Sequence, residues 1–222
     1  MAFLWLLLFI IGAYSEMCLA ANTNLFPDKW RARPLYFGAL LGYGSTDWSQ
    51  LVAHCEDPNA CFLWLSAPIS AGDRGIVWGF FAGYEIQPYF AVETTYAYFP
   101  MTPVLFDEFS VYNERFNVTH IDSYTDALSF VGKFMVQMGS TGLRGFANAG
   151  GALVRRRDDL AHNIHVTPTF GVGVNYVFPS ELMFEVGFQY YAGYGKAVVS
   201  PAANYMPFLY SVHAKLAYRI AV

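Results

Sequence analysis

The sequence predicts an all-β chain: an eight-stranded antiparallel up-and-down β-barrel that spans a membrane. Three observations predict it. Apolar and aromatic residues recur at every second position, as in Ile76, Trp78, Phe80, Ala82, Tyr84 and Ile86, and a period of two is that of a β-strand. The alternate positions hold small or polar residues, among them Gly79, Gly83 and Glu85. A soluble sheet would bury the large face, whereas a membrane barrel turns it to lipid and keeps a small, polar interior. Finally, the connections between periodic segments alternate strictly between long and short, as hairpins on opposite sides of a membrane would.

The elements follow in order. Ala2 to Ala13 is apolar and runs into Cys18-Leu19-Ala20-Ala21. It is too short to span and ends in small residues, so residues 1–21 are expected to be a signal peptide, with Cys18 removed along with it. Residues 22–34 read as a short periplasmic arm, and 35–222 as the barrel. The first strand is Leu35 to Gly44, with Phe37, Ala39, Leu41 and Tyr43 on its large face. Ser45 to Arg74 loses the period and contains Pro58 and Pro68, so it reads as a long loop. Gly75 to Pro100 is a hairpin turning at Pro88, where a missing backbone donor is tolerated. Met101 to Ser123 is a second long loop. Tyr124 to Met138 is the fourth strand, with Phe130 and Phe134 opposite in parity to Lys133. A Gly139 to Gly142 turn leads to Leu143–Val154, a fifth strand so rich in Gly and Ala that its faces are not assigned. Arg155 to Asn163 reads as a loop of mixed charge. The sixth strand carries Phe170, Val172 and Val174, the seventh Phe184, Val186 and Phe188, and the two are joined at Pro179. Gly193 to Pro207 is the last long loop. The final strand sets Val212, Ala214, Leu216 and Tyr218 against His213, Lys215 and Arg219.

Composition agrees. Apolar residues make up 55% of the 222 and aromatics 18%, both high for a soluble domain, while charged residues are only 14%. The net charge of −4 argues against a nucleic-acid partner. No apolar run of roughly 20 residues follows the N-terminal segment, which excludes a helical membrane protein but not a barrel.

The ordered set of eight strands resembles the small outer-membrane barrels of the OmpA/OmpX and opacity-protein-like superfamily. The segments that carry the likeness are Gly38-Ala39-Leu40-Leu41-Gly42-Tyr43-Gly44, Gly132-Lys133, Ala149-Gly150-Gly151-Ala152, Glu185 and Tyr218-Arg219-Ile220. Ile220 stands where that family usually ends in Phe, and Ala221-Val222 follow it. No peptidoglycan-binding domain is expected after the barrel. The resemblance implies a Gram-negative outer-membrane location and insertion by the barrel-assembly machinery. It further implies contact with outer-membrane lipid and lipopolysaccharide, and four surface loops that could meet a host or cell-surface ligand. The expected role is structural, adhesive or surface-interacting rather than enzymatic, with no cofactor. The alternatives are a narrow channel or porin, or a lipid-modifying outer-membrane enzyme using His162 or His165 near the rim.

Several residues could carry chemistry. Glu85, Glu93, Lys133, Glu185, Gln189, His213, Lys215 and Arg219 share the inward parity. They could line an ion or proton path, but an eight-stranded barrel is just wide enough for side chains, and unpaired charges there would be costly. A packed network is therefore expected. Cys55 and Cys61 form an even pair in an exported chain and read as a disulfide; a metal site with His54 has too few ligands. Arg155, Arg156 and Arg157 could contact lipopolysaccharide phosphates, which Arg binds bidentately. Asp158 and Asp159 follow at once, so a solvated loop is the alternative. No metal-binding cluster or nucleotide loop is found.

Overall fold

The computed structural model describes residues 34–48, 68–72, 74–138, 142–159, 162–194 and 205–220. The expected signal peptide, all but the last residue of the arm, and the Cys55–Cys61 pair lie outside the described residues. Those described form ten strands and one short helix. The strands are β1 (Leu35–Asp47), β2 (Ser70–Ala71), β3 (Arg74–Gln87), β4 (Phe90–Tyr98), β5 (Thr102–Leu105), β6 (His120–Gln137), β7 (Leu143–Arg157), β8 (His162–Val177), β9 (Leu182–Tyr191) and β10 (Phe208–Ile220). The helix α1 (Val111–Phe116) lies between β5 and β6.

Eight long strands close on themselves in the order β6-β4-β3-β1-β10-β9-β8-β7, with β7 pairing back to β6. All these pairings are antiparallel. The seam between the two ends of the chain is long, running from Leu35↔Ile220 to Asp47↔Phe208. Closure pairs each of the eight wall strands on both sides and leaves the wall no edge, the condition for a sheet in hydrocarbon.

The two faces sort by parity. Phe80, Phe130 and Val172 stand outward at 60%, 61% and 56% exposure, while Val77, Ala91 and Glu185 are fully buried inside. The fifth wall strand, unassignable in advance, points Arg144, Phe146, Asn148, Ala152, Val154 and Arg156 inward. Its outward face is small: Gly145, Ala147, Ala149 and Gly151. The Tyr36 ring lies over Gly83, its register partner on the neighbouring strand β3. A Cβ on Gly83 would come within 2.3 Å of the Tyr36 ring.

The long connections hold more structure than the sequence predicts. β1 continues to Asp47, β6 starts at His120, and β2 and β5 add a small sheet to the outer part of β6. Ser110 caps α1 by accepting from the Asn113 amide at 3.1 Å, and Asn117 ends it in a left-handed conformation that Asn tolerates. Four residues of strand and six of helix carry too little local signal to stand alone. They are ordered by packing against Trp48, Val104, Phe106, Tyr112, Ile121 and Tyr205, a buried cluster over the long-loop end of the barrel. The expected Arg155–Asn163 loop is also corrected. β7 runs to Arg157 and β8 begins at His162, so this hairpin rises as paired strand.

Candidate functional site: the filled interior and its cap

The interior is built in layers. Nearest the short turns, Glu85 Oε1 accepts from Arg144 Nη2 at 2.9 Å and from Arg219 Nη1 at 2.7 Å, and Oε2 accepts from Arg219 Nη2 at 2.8 Å. Arg144 Nε donates to Asn175 Oδ1 at 2.9 Å. Above this, four charges from four strands form a ring. Glu93 accepts from Lys133 at 3.1 Å, from Lys215 at 2.6 Å and from the Tyr36 hydroxyl at 3.0 Å. Lys133 also donates to Glu185, and Lys215 stands 3.2 Å from Glu185 Oε1 as an ion pair. The two ammonium groups lie over the rings of Phe146 and Phe81, at 4.2 and 4.9 Å, so their remaining faces meet aromatic surface.

Further out, Gln189 donates to Thr169 Oγ1 at 2.7 Å, and His213 Nδ1 sits 3.4 Å from Ser211 Oγ, beside a small polar cavity shared with Thr95 and Ser129. An apolar layer then crosses the barrel. Val77, Phe99, Tyr191, Met206 and Leu209 are buried in it, with the Phe99 and Tyr191 rings edge to face at 5.8 Å. Over that layer sits the cap. Arg156 lies 4.5 Å above the Trp48 ring, pairs with Asp158, and donates to the Tyr205 carbonyl at 2.6 Å. Ser123 donates to Asp158 at 3.0 Å, and the Tyr205 hydroxyl donates to the Asp47 carbonyl at 2.7 Å. Burial pushes the Tyr205 phenol up, with the Asp47 carboxylate adding to the effect, so the hydroxyl stays a donor.

All eight residues expected inside are buried and point inward. Arg144 belongs with them and was missed; its shared parity with Asn148 and Arg156 was the available signal. The Arg155–Arg157 run is split rather than grouped. Arg156 is fully buried, which corrects its expected contact with lipid, because the strand period alternates faces. Arg155 and Arg157 do point outward, both onto Asp126. His162 is exposed, and His165 stacks on Tyr194 with ring centres 4.8 Å apart.

A closed eight-stranded wall with an apolar outside and an ion-paired inside defines a small outer-membrane β-barrel. The chain belongs to the OmpA-like transmembrane domain family, which matches residues 31–221. Among solved structures it is similar to Neisserial surface protein A (NspA), at 14% identity and a TM-score of 0.53, covering 84% of this chain and 97% of that one. It is also similar to the outer membrane protein OprG from Pseudomonas aeruginosa, at 11% identity and 0.49, covering 85% and 98%. A third is the attachment invasion locus protein Ail of Yersinia pestis, in complex with the heparin analogue sucrose octasulfate, at 11% and 0.39, covering 83% and 99%. These likenesses show the fold alone. No curated protein sequence matches the chain.

Proposed function

We propose that this barrel is an anchor for its outer end, acting by surface interaction or adhesion rather than by passing solute or by catalysis. The observation that carries it is the filled interior: the Glu93–Lys133–Glu185–Lys215 ring and the Phe99–Tyr191–Met206–Leu209 layer occupy the lumen at two heights. Water finds no wide path past paired charges and edge-to-face rings. The cap then presents Phe109, Val111 and Phe116 at its surface, at 75%, 46% and 53% exposure. Export through a signal peptide in residues 1–21 and a Cys55–Cys61 disulfide in the first long loop belong to the same proposal.

Planar-bilayer recording of the refolded protein tests it, alongside adhesion of cells that lack the gene. Conductance at the noise floor and reduced adhesion are expected. Steady conductance whose ion selectivity changes in Glu185→Ala would replace the anchor with a narrow channel.

A further inference from the structure

Phe109, Val111 and Phe116, on α1 and the turn before it, are exposed. Tyr112 between them turns in and packs against Phe106, with ring centres 4.8 Å apart. It belongs to the same buried cluster as Trp48 and Tyr205, so α1 lies over the mouth of the barrel. Leu128 is the last aliphatic residue on the outward face of β6, and Asp126, Tyr124, Asp122 and His120 follow it upward. From Leu128 to His120 a tilted strand climbs about 20 Å, and the Phe106 amide, donating to the Thr119 carbonyl at 2.9 Å, fixes the root of α1 at that height. The exposed rings therefore stand clear of the hydrocarbon that covers the wall.

An exposed apolar patch with a polar rim marks an interaction surface, and here the rim has a sign. Between Met101 and Ser123 the chain carries four carboxylates, Asp107, Glu108, Glu114 and Asp122, against one fixed cation, Arg115. Three of these five are engaged within the chain. Asp107 Oδ1 accepts from the Phe109 amide at 2.9 Å, Asp122 lies 3.4 Å from His120 Nε2, and Arg115 lies 5.4 Å over the Phe116 ring. Glu108 and Glu114 are exposed and make no ion pair among the described residues. The Glu108 carbonyl accepts from Asn113 Nδ2 at 2.7 Å, which holds Glu108 against the first turn of α1, where Glu114 also sits. Two uncommitted carboxylates thus bracket Phe109 and Val111. A second copy of this chain would set the same carboxylates face to face, and an anionic glycan or lipid surface would meet like charge.

We propose that α1 and the turn before it dock a cationic amphipathic segment of a partner protein. Its aliphatic or aromatic side chains cover Phe109, Val111 and Phe116, and its Lys or Arg residues pair with Glu108 and Glu114. This rests on the reading of the barrel as an adhesive anchor and names the chemistry of its partner. The apolar contact supplies most of the affinity, because buried aromatic anchors dominate interfaces. The rim pairs, being exposed, add little each but choose the sign of the partner, since a segment with acids in those places would be repelled.

The test places the refolded protein in phosphatidylcholine nanodiscs and titrates two labelled synthetic peptides of one pattern, Lys with Leu and Glu with Leu, read by fluorescence anisotropy against empty discs. The Lys/Leu peptide is expected to bind above the empty-disc level and the Glu/Leu peptide is not. Glu108→Lys/Glu114→Lys should reverse that preference. Phe109→Ser/Phe116→Ser should weaken Lys/Leu binding about tenfold, as for lost apolar anchors. All four side chains are exposed, so heat-modifiable gel migration should stay unchanged and show the variants folded. Lys/Leu binding no stronger than to empty discs, equal binding of the two peptides, an unmoved preference in the charge-reversed variant, or no loss in the Phe variant would each overturn the site. Conductance and cell adhesion test the anchor and are blind to the sign of a peptide, so the two readings can fail separately.

Discussion

At mid-barrel, Lys133 and Lys215 each lie against both Glu93 and Glu185. In the cap, Arg156 pairs with Asp158 and also meets the Trp48 ring and the Tyr205 backbone carbonyl. The ring is made by side chains on strands that are paired on both sides and enclosed by the wall. The cap joins the outer ends of β6 and β7 to short elements hung on connections. Both bury cations, but the ring shares every charge between two partners, so removing one member leaves two like charges on a single counter-charge. The cap is expected to open without disturbing the ladder beneath it, because local stability follows local packing.

The largest expected effect lies in the ring. Glu93→Ala leaves Lys133 and Lys215 sharing Glu185 alone, with one buried charge uncompensated, and takes the acceptor from Tyr36; it should lower unfolding free energy by about 3–5 kcal/mol, read as the urea midpoint in lipid vesicles. A loss of under about 1 kcal/mol, the size of a surface pair, would mean that water reaches the ring. Next comes the outer face at the same height. Phe80→Arg should cost about 2–4 kcal/mol near the bilayer midplane, and unaltered heat-modifiable gel migration would show the face to be wrongly placed. Cap changes should be smaller and local. Arg156→Met leaves Asp158 short of its cation and should destabilise the cap by about 1–3 kcal/mol, seen as faster proteolysis between Phe106 and Asn117 with the barrel intact. Loss of the barrel together with the cap would show that the two are one cooperative unit. Ser110→Ala removes the cap of α1 and should cost about 1 kcal/mol, visible as faster exchange of the Asn113 amide alone.

The wall was legible where its two faces contrast. Phe80 beside Gly79, or Phe184 beside Glu185, fixes inside and outside at once. Where both faces are small, as at Ala149 and Gly150, contrast disappears, and with it went Arg144. The triple arginine shows the reverse hazard. Neighbours in sequence suggested one patch, yet a period of two puts Arg155 and Arg157 outside and Arg156 inside. The cap was illegible because its strands and helix hold shape through contacts from Trp48 to Tyr205, and no window of residues contains that information. Pro103 even sits within β5, where its missing donor would have argued against a strand.

The partners of the interior charges lie far apart along the chain: Glu93 and Lys215 are 122 positions apart, Glu85 and Arg219 134. Arg219 and Lys215 are both on β10, the last barrel strand in chain order. Until β10 meets β1, the inner face is a half-neutralised sheet, and hydrocarbon would penalise each bare charge by several kcal/mol. A partly curled sheet therefore cannot wait in the bilayer. Membrane entry and the zipping of the β1–β10 seam are thus expected to be a single step.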